Sequence, residues 1–338
     1  MKFFVFDRPN YSGATTGSIV VNGSGFGTNT NFSPISFIDF ASINNGDTPT
    51  QCGFDYYENW PSGAHFTSTC GGLTSDGLPV GGGCLEIIID GDNTNSGSTS
   101  DGPFWHMQIY TGDQTAVTLF KHVKFIHVSG TVSSACQYKD TRLCTNTGGN
   151  AYSATPKLAA STYTYNGTTG TTAPHYWHEG GGETDFGVYP TLNLYDEAWH
   201  CNFTQGKLNS ADNVADGLSR IWWDGTYKLN ESTVDLWDTN TVRFKAIEPN
   251  PGLANSYGST GYWQVRHARV VAIAGLAWCA VGNASTFAAC TDLLVLDPSA
   301  WSDTQITADA HGTLPAGYSW AYVMDTSGTL VNSSGITF

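Results

Sequence analysis

Basic residues are scarce in this sequence. Lys and Arg together number 14 among 338 residues, against 29 Asp and Glu, and the formal net charge is −15. A phosphate-binding footprint needs clustered Lys and Arg, so nucleic acid is excluded as a partner. The nearest cluster, Lys121-His122-Val123-Lys124, alternates with apolar residues like one face of a strand. Charged residues of both signs make up 13%, half the usual ~25%. No stretch keeps apolar residues at i, i+3, i+4 and i+7 over three turns, so helices are not expected. No apolar run approaches the ~18 residues of a membrane-crossing helix, and no membrane insertion is expected. Met1-Lys2-Phe3-Phe4-Val5-Phe6 starts like a signal peptide, but Asp7-Arg8-Pro9 ends the run well short of the ~7–15 apolar residues required. A body of extracellular character without a cleavable signal peptide leads to an expected location on a virion surface or outside the cell.

What is abundant points to β-structure. Glycine contributes 39 residues and aromatics 13%, and the length suits two domains at a prior of about 150 residues each. Short alternating segments separated by turn residues recur, the pattern of a sandwich or jelly roll. They include Leu85 to Asp90, Trp105 to Tyr110, Leu119 to Val128, Thr191 to Asn202, Leu218 to Trp223, Thr241 to Ile247 and Tyr262 to Ile273. In the third, Phe120, Val123, Phe125 and Ile126 are expected inward, with Lys121, His122, Lys124 and His127 outward. The eight cysteines form an even set in a β-rich chain, which favours disulfides. Close spacing suggests Cys136 with Cys144 and Cys279 with Cys290; the remaining connectivity is open. A zinc site is disfavoured, because no C-x-x-C occurs and only the adjacent His200-Cys201 brings the two ligand types together.

Two resemblances organise the chain. Gly17 to Thr28, with its Gly-Ser-Gly-Phe-Gly core, and the terminal stretches Trp301 to Thr307 and Tyr322 to Gly335 resemble the opening and closing strands of an immunoglobulin-like IPT/TIG domain. Between them, Ala198-Trp199-His200-Cys201-Asn202 followed by Asp216-Gly217 and Ile221-Trp222-Trp223-Asp224-Gly225 resembles concanavalin-A-like jelly rolls of the polysaccharide-lyase and laminin-G type. Lys121 to His127 resembles their long concave-face strand. The implied fold is all-β: residues 1–33 as the first half of an Ig-like sandwich, 34–275 as the jelly roll and 276–338 as the second half. The Asp224-Gly225 turn has a plain physical reason, since a tight hairpin needs left-handed backbone at its tip.

Several groups of residues could carry chemistry. Trp and Tyr faces stack on pyranose rings, and Trp105, Tyr163, Tyr165, Trp177 and Tyr257 are the candidates for glycan binding. β-Elimination from a uronate needs a neutraliser for the carboxylate and a base at C5. His122, His127, His175, Tyr176, His178 and Arg266 have the right types. Glu183-Thr184-Asp185 resembles the acidic strand of laminarinase-type hydrolases, but Val188 stands at the third acid position. Asp90, Asp92, Asn93 and Asn95 form an oxygen-rich loop suited to calcium; no cofactor is otherwise required.

The leading expectation is a non-enzymatic surface module that binds glycan and decorates a virion or filament. Its partners would be capsid, tail or filament proteins and further copies of itself. The alternative is a polysaccharide lyase working on the concave sheet.

Overall fold

The computed structural model describes residues 18–39, 49–58, 64–67, 84–90, 106–131, 137–147, 157–165, 171–179, 185–188, 192–193, 197–235, 242–249, 252–254, 260–311, 314 and 317–338. Among them the chain is β throughout, with one short 3-10 turn, Phe287–Ala289, and no α-helix.

Two large antiparallel sheets form a jelly-roll sandwich. The eight-stranded sheet is centred on two long partners, Ala116–Thr131 and Thr260–Ala274. Trp199–Lys207, Gly217–Trp223 and Thr226–Val234 extend it on one side, Cys84–Asp90 and Ala64–Thr67 on the other, and Ser36–Asp39 pairs with Thr260–Ala274. The nine-stranded sheet runs Asp185–Val188, Thr171–Glu179, Lys157–Tyr165, Gln137–Cys144, Phe244–Glu248, His106–Gln114, Tyr56–Glu58, with Leu192–Asn193 and Gly252–Ala254 paired beside this path. Between the sheets lie Leu119, Val123, Phe125 and Val265 from one and Ile109, Leu143 and Ile247 from the other, all fully buried.

Among the described residues, an ion pair crosses that core. Lys121 sends its ammonium from the eight-stranded sheet to Asp140 Oδ1 at 2.5 Å, and both side chains are inaccessible to solvent. It also donates to the Asp140 carbonyl (2.7 Å), Thr141 Oγ1 (2.9 Å) and the Pro249 carbonyl (2.9 Å). Burial lowers the Lys121 pKa, and Asp140 offsets only part of that. The outward placement expected for Lys121 is therefore corrected. Residues directly opposite one another in a sheet share a face. Lys121 points inward with Leu119, Val123 and Phe125, and Phe120 points the other way with its partner Phe203.

The outward face of the eight-stranded sheet is itself a core. It meets a second, smaller sandwich made from the two ends of the described chain. Ile19–Asn22 pairs with Gln305–Asp309, which pairs with Asp297–Trp301. Opposite them, Leu293–Val295, Trp278–Gly282, Trp320–Met324 and Ile336–Thr337 form a four-stranded sheet. Ile19, Val21, Phe26, Cys279, Val281, Ile306 and Val323 fill the space between these two small sheets. The reverse side of the four-stranded sheet, Trp278, Ala280, Leu293, Val295, Tyr322 and Met324, packs on Phe120, Cys201, Phe203, Trp222 and Val271. Trp278–Gly282 is accordingly buried at every position. The contact is aromatic: Phe120 meets Trp278 edge-on at 5.4 Å, Trp222 stacks on Phe287 at 5.5 Å, and Phe287 meets Tyr322 edge-on at 5.5 Å. Such pairs add to the stabilisation that area burial gives.

Of the two short-range disulfide expectations, Cys279 with Cys290 fails: both are reduced. They belong to different cores, Cys279 between the two small sheets and Cys290 against the jelly roll. A sheet separates the two sulfurs, which closeness in sequence does not reveal. Cys144 packs with Ala246 and Tyr110, and its expected partner, Cys136, lies outside the described residues. Cys84 does form a disulfide, with a partner outside the described residues.

Candidate functional site

Strand alternation gives the nine-stranded sheet two unlike faces. Ile109, Ile247 and Leu143 are aligned across three adjacent strands and face the core. One position along, Gln108, Glu248 and Arg142 are aligned in the same way and face outward. Gln108 Nε2 donates to Glu248 Oε1 at 2.8 Å, and Arg142 Nη1 donates to Glu248 Oε2 at 3.1 Å. All three are buried. A buried carboxylate and guanidinium survive only when paired and hydrogen-bonded, and here each is held by neighbours on rigid central strands. Tyr110 lies on the same face, packed with Cys144 and Ala246. Its N–H donates to Asp55 Oδ2 at 2.7 Å. Burial raises the Asp55 carboxyl pKa more than this hydrogen bond lowers it.

The backbone register carries this row onward. Arg142 pairs with Ala159, Ala159 with Trp177, and Trp177 with Asp185. His175, Tyr176 and His178 lie on the same strand as Trp177, and Tyr163 and Tyr165 on the strand beside it. The nine-stranded sheet thus gathers an amide, a carboxylate, a guanidinium and a His- and Tyr-bearing strand.

The remaining lyase candidates lie elsewhere, and their inclusion is corrected. His122 and Arg266 belong to the eight-stranded sheet. Their partners across the strands place them on its outer face: His122 opposite Cys201, and Arg266 opposite Lys124. A whole sandwich layer separates that face from Arg142. His122 is buried, with Nε2 2.9 Å from Asp292 Oδ1, so it stabilises the contact with the small sandwich. His127 lies on the same long strand as His122. Trp105, Tyr257, Glu183, Asp92, Asn93 and Asn95 fall outside the described residues, and Asp90 ends the Cys84–Asp90 strand.

Gln108, Arg142 and Glu248 were not singled out from the sequence. The available signal was a charged residue in mid-strand, in Lys139-Asp140-Thr141-Arg142-Leu143 and Lys245-Ala246-Ile247-Glu248, in a chain with few charges.

No family model matches the chain, and no curated protein matches it. Solved structures do. A mutant of alginate lyase Aly36B in complex with alginate trisaccharide matches with a TM-score of 0.48 and 16% identity, over 72% of this chain and 99% of that one. An endo-beta-1,4-glucuronan lyase from the fungus Trichoderma reesei matches with a TM-score of 0.46 and 16% identity, over 72% and 97%. Alginate lyase vAL-1 from Chlorella virus matches with a TM-score of 0.43 and 10% identity, over 71% and 99%. The expectation of a non-enzymatic decoration module is corrected by this finding, since these similar structures are described as polysaccharide lyases.

Proposed function

We propose that the chain is a polysaccharide lyase that cleaves a uronate polymer by β-elimination on the outer face of its nine-stranded sheet. The row Gln108–Glu248–Arg142 supports this reading. An arginine and an amide fixed side by side form a donor set that can neutralise a uronate carboxylate. That neutralisation stabilises the charge developing as the proton leaves C5. Glu248 holds Arg142 and Gln108 in place, a positioning role. The strand Thr171–Glu179 supplies His175, two positions from Trp177 in the register row, as the candidate for the base at C5. The acidic surface as a whole repels a polyanion, so a local cation at the site is a requirement of the reading; Arg142 is the cation of the row, and Glu248 is its partner. We further read residues 1–33 and 276–338 as one IPT/TIG-like frame. The pairing of Ile19–Asn22 with Gln305–Asp309 supports that reading.

The test is an absorbance assay for the conjugated double bond of the unsaturated sugar, run on alginate, glucuronan and a neutral glucan. Uronate polymers should yield product, the glucan none, and Arg142→Ala should lose the activity. A folded protein that yields no unsaturated product from any uronate polymer would sink the proposal.

A further inference from the structure

We propose that His122, Cys201 and Asp292 form a divalent-metal site of the zinc type, which clamps the small sandwich onto the jelly roll. The site owes nothing to the proposed catalytic face and stands or falls separately from it.

His122 and Cys201 are directly opposite one another on adjacent strands, Ala116–Thr131 and Trp199–Lys207. Directly opposite side chains start about 4.5–5.5 Å apart at Cβ and share a face, so the sheet itself fixes one nitrogen and one sulfur ligand side by side. The small sandwich supplies the third ligand, Asp292, from the residue preceding Leu293–Val295. The three ligand atoms lie within 4.8 Å of one another. Imidazole, thiolate and carboxylate are the ligand types that zinc takes, at about 2.0–2.3 Å. A tetrahedral ion with such bonds needs its nitrogen and oxygen ligands about 3.3 Å apart. His122 Nε2 and Asp292 Oδ1 are 2.9 Å apart, so an opening of a few tenths of an ångström admits the ion.

The surroundings fit. Tyr318 donates its hydroxyl to Asp292 Oδ2, which leaves Oδ1 directed at His122. Hydrogen bonds of this kind orient metal ligands. A cavity of about 10 Å³ borders His122 and Cys201, about the room one water needs, and gives space for a fourth ligand beside the imidazole and the thiolate. The two cations on the cavity wall are directed elsewhere. Lys121 sends its ammonium to Asp140 on the other side of the sheet, and the Arg269 guanidinium lies over the Phe37 ring at 5.0 Å. The charges balance: Zn²⁺, a neutral imidazole, one thiolate and one carboxylate sum to zero, as a buried site requires. The Cys201 thiol now donates to the Leu293 carbonyl at 3.4 Å. Metal binding replaces that proton, so each ion bound releases one.

The experiment uses the full chain, stripped with a chelator and reloaded with zinc or cobalt. One zinc per chain is expected by elemental analysis, with X-ray absorption showing a single sulfur at about 2.3 Å. Cobalt should give the thiolate-to-metal charge-transfer band, lost in Cys201→Ser. Tyr318→Phe should keep the band and weaken affinity about 10- to 100-fold. A folded wild-type chain that retains no zinc at one equivalent, a metal shell of oxygen and nitrogen alone, or a cobalt band that survives Cys201→Ser would each overturn the proposal. The first two outcomes need no variant, so a Cys201→Ser chain that fails to fold leaves the test decisive.

Discussion

Asp140→Asn tests the ion pair that crosses the jelly-roll core among the described residues. The substitution keeps the volume and removes the countercharge of Lys121, whose ammonium lies 2.5 Å from Asp140 Oδ1 with both side chains inaccessible. Breaking a buried pair from one side costs about 3–5 kcal/mol. Lys121 keeps the Asp140 carbonyl, Thr141 Oγ1 and the Pro249 carbonyl, so the lower end, about 3 kcal/mol, is expected. That is a large share of the ~5–15 kcal/mol that holds a typical domain. Replacing both partners, as Lys121→Met with Asp140→Leu, removes both buried charges and should restore most of the loss. Burial lowers the Lys121 pKa, and Asp140→Asn removes the carboxylate charge that opposes this. The folded pKa then lies further below the unfolded value of about 10.4. Between the two values the unfolded chain carries the proton and the folded chain does not, so the variant should gain stability as pH rises through that window. Urea denaturation followed by tryptophan fluorescence measures the wild type, Asp140→Asn, the double variant and its two single variants. A loss under about 1 kcal/mol in Asp140→Asn, or a double variant as unstable as the two single losses summed, refutes the reasoning.

Other expectations follow from the same geometry. His267 is buried, its ring nitrogens have no hydrogen-bond partner among the described residues, and burial with the nearby Lys121 charge holds its pKa well below 6.5. The unfolded chain takes up a proton below pH 6.5 that the folded chain refuses, so stability falls as pH drops, by up to ~1.4 kcal/mol per unit. His267→Leu should flatten that slope by about one proton in denaturation series across pH 4–7. Gly225 has φ +76°, and a Cβ there would lie 2.5 Å from the Cys290 carbonyl oxygen; Gly225→Ala should cost at least ~1–3 kcal/mol in thermal unfolding. Trp222 is fully buried between Phe203 and Phe287, and calorimetry of Trp222→Ala should show a loss of about 3–5 kcal/mol.

The β class and the jelly-roll sandwich are legible in the alternating segments, because period-2 patterning has one structural meaning. The Asp224-Gly225 hairpin is legible for a local reason: both residues have positive φ, 43° and 76°, as a two-residue turn of this kind requires. The facing of Ala116–Thr131 is not legible. Alternation in a sheet with one wet face marks the inside, but this strand has a core on each side. Its polar residues are therefore internal partners: Lys121 to Asp140 on one side, His122 to Asp292 on the other. The candidate site was legible only in part for a related reason. His175, Tyr176 and His178 stand out by composition, whereas Gln108, Arg142 and Glu248 acquire meaning through strand order, which brings residues 140 positions apart within a hydrogen bond. Cysteine spacing misled because it measures chain distance, and the Trp278–Gly282 strand lies between two cores.

The pairing of the first described strand of the small sandwich with one about 285 residues later has a consequence in time. A ribosome delivers Ile19–Asn22 long before Gln305–Asp309, its partner across the ladder. Until Trp278–Gly282 and Trp320–Met324 emerge, the nascent jelly roll presents Phe120, Phe203, Trp222 and Val271 uncovered. Exposed apolar sheet of this kind invites aggregation while synthesis continues at ~5–20 residues per second. The chain therefore passes through an adhesive interval that ends only once Trp320–Met324 has been made, and a translation product stalled before it would remain in that interval.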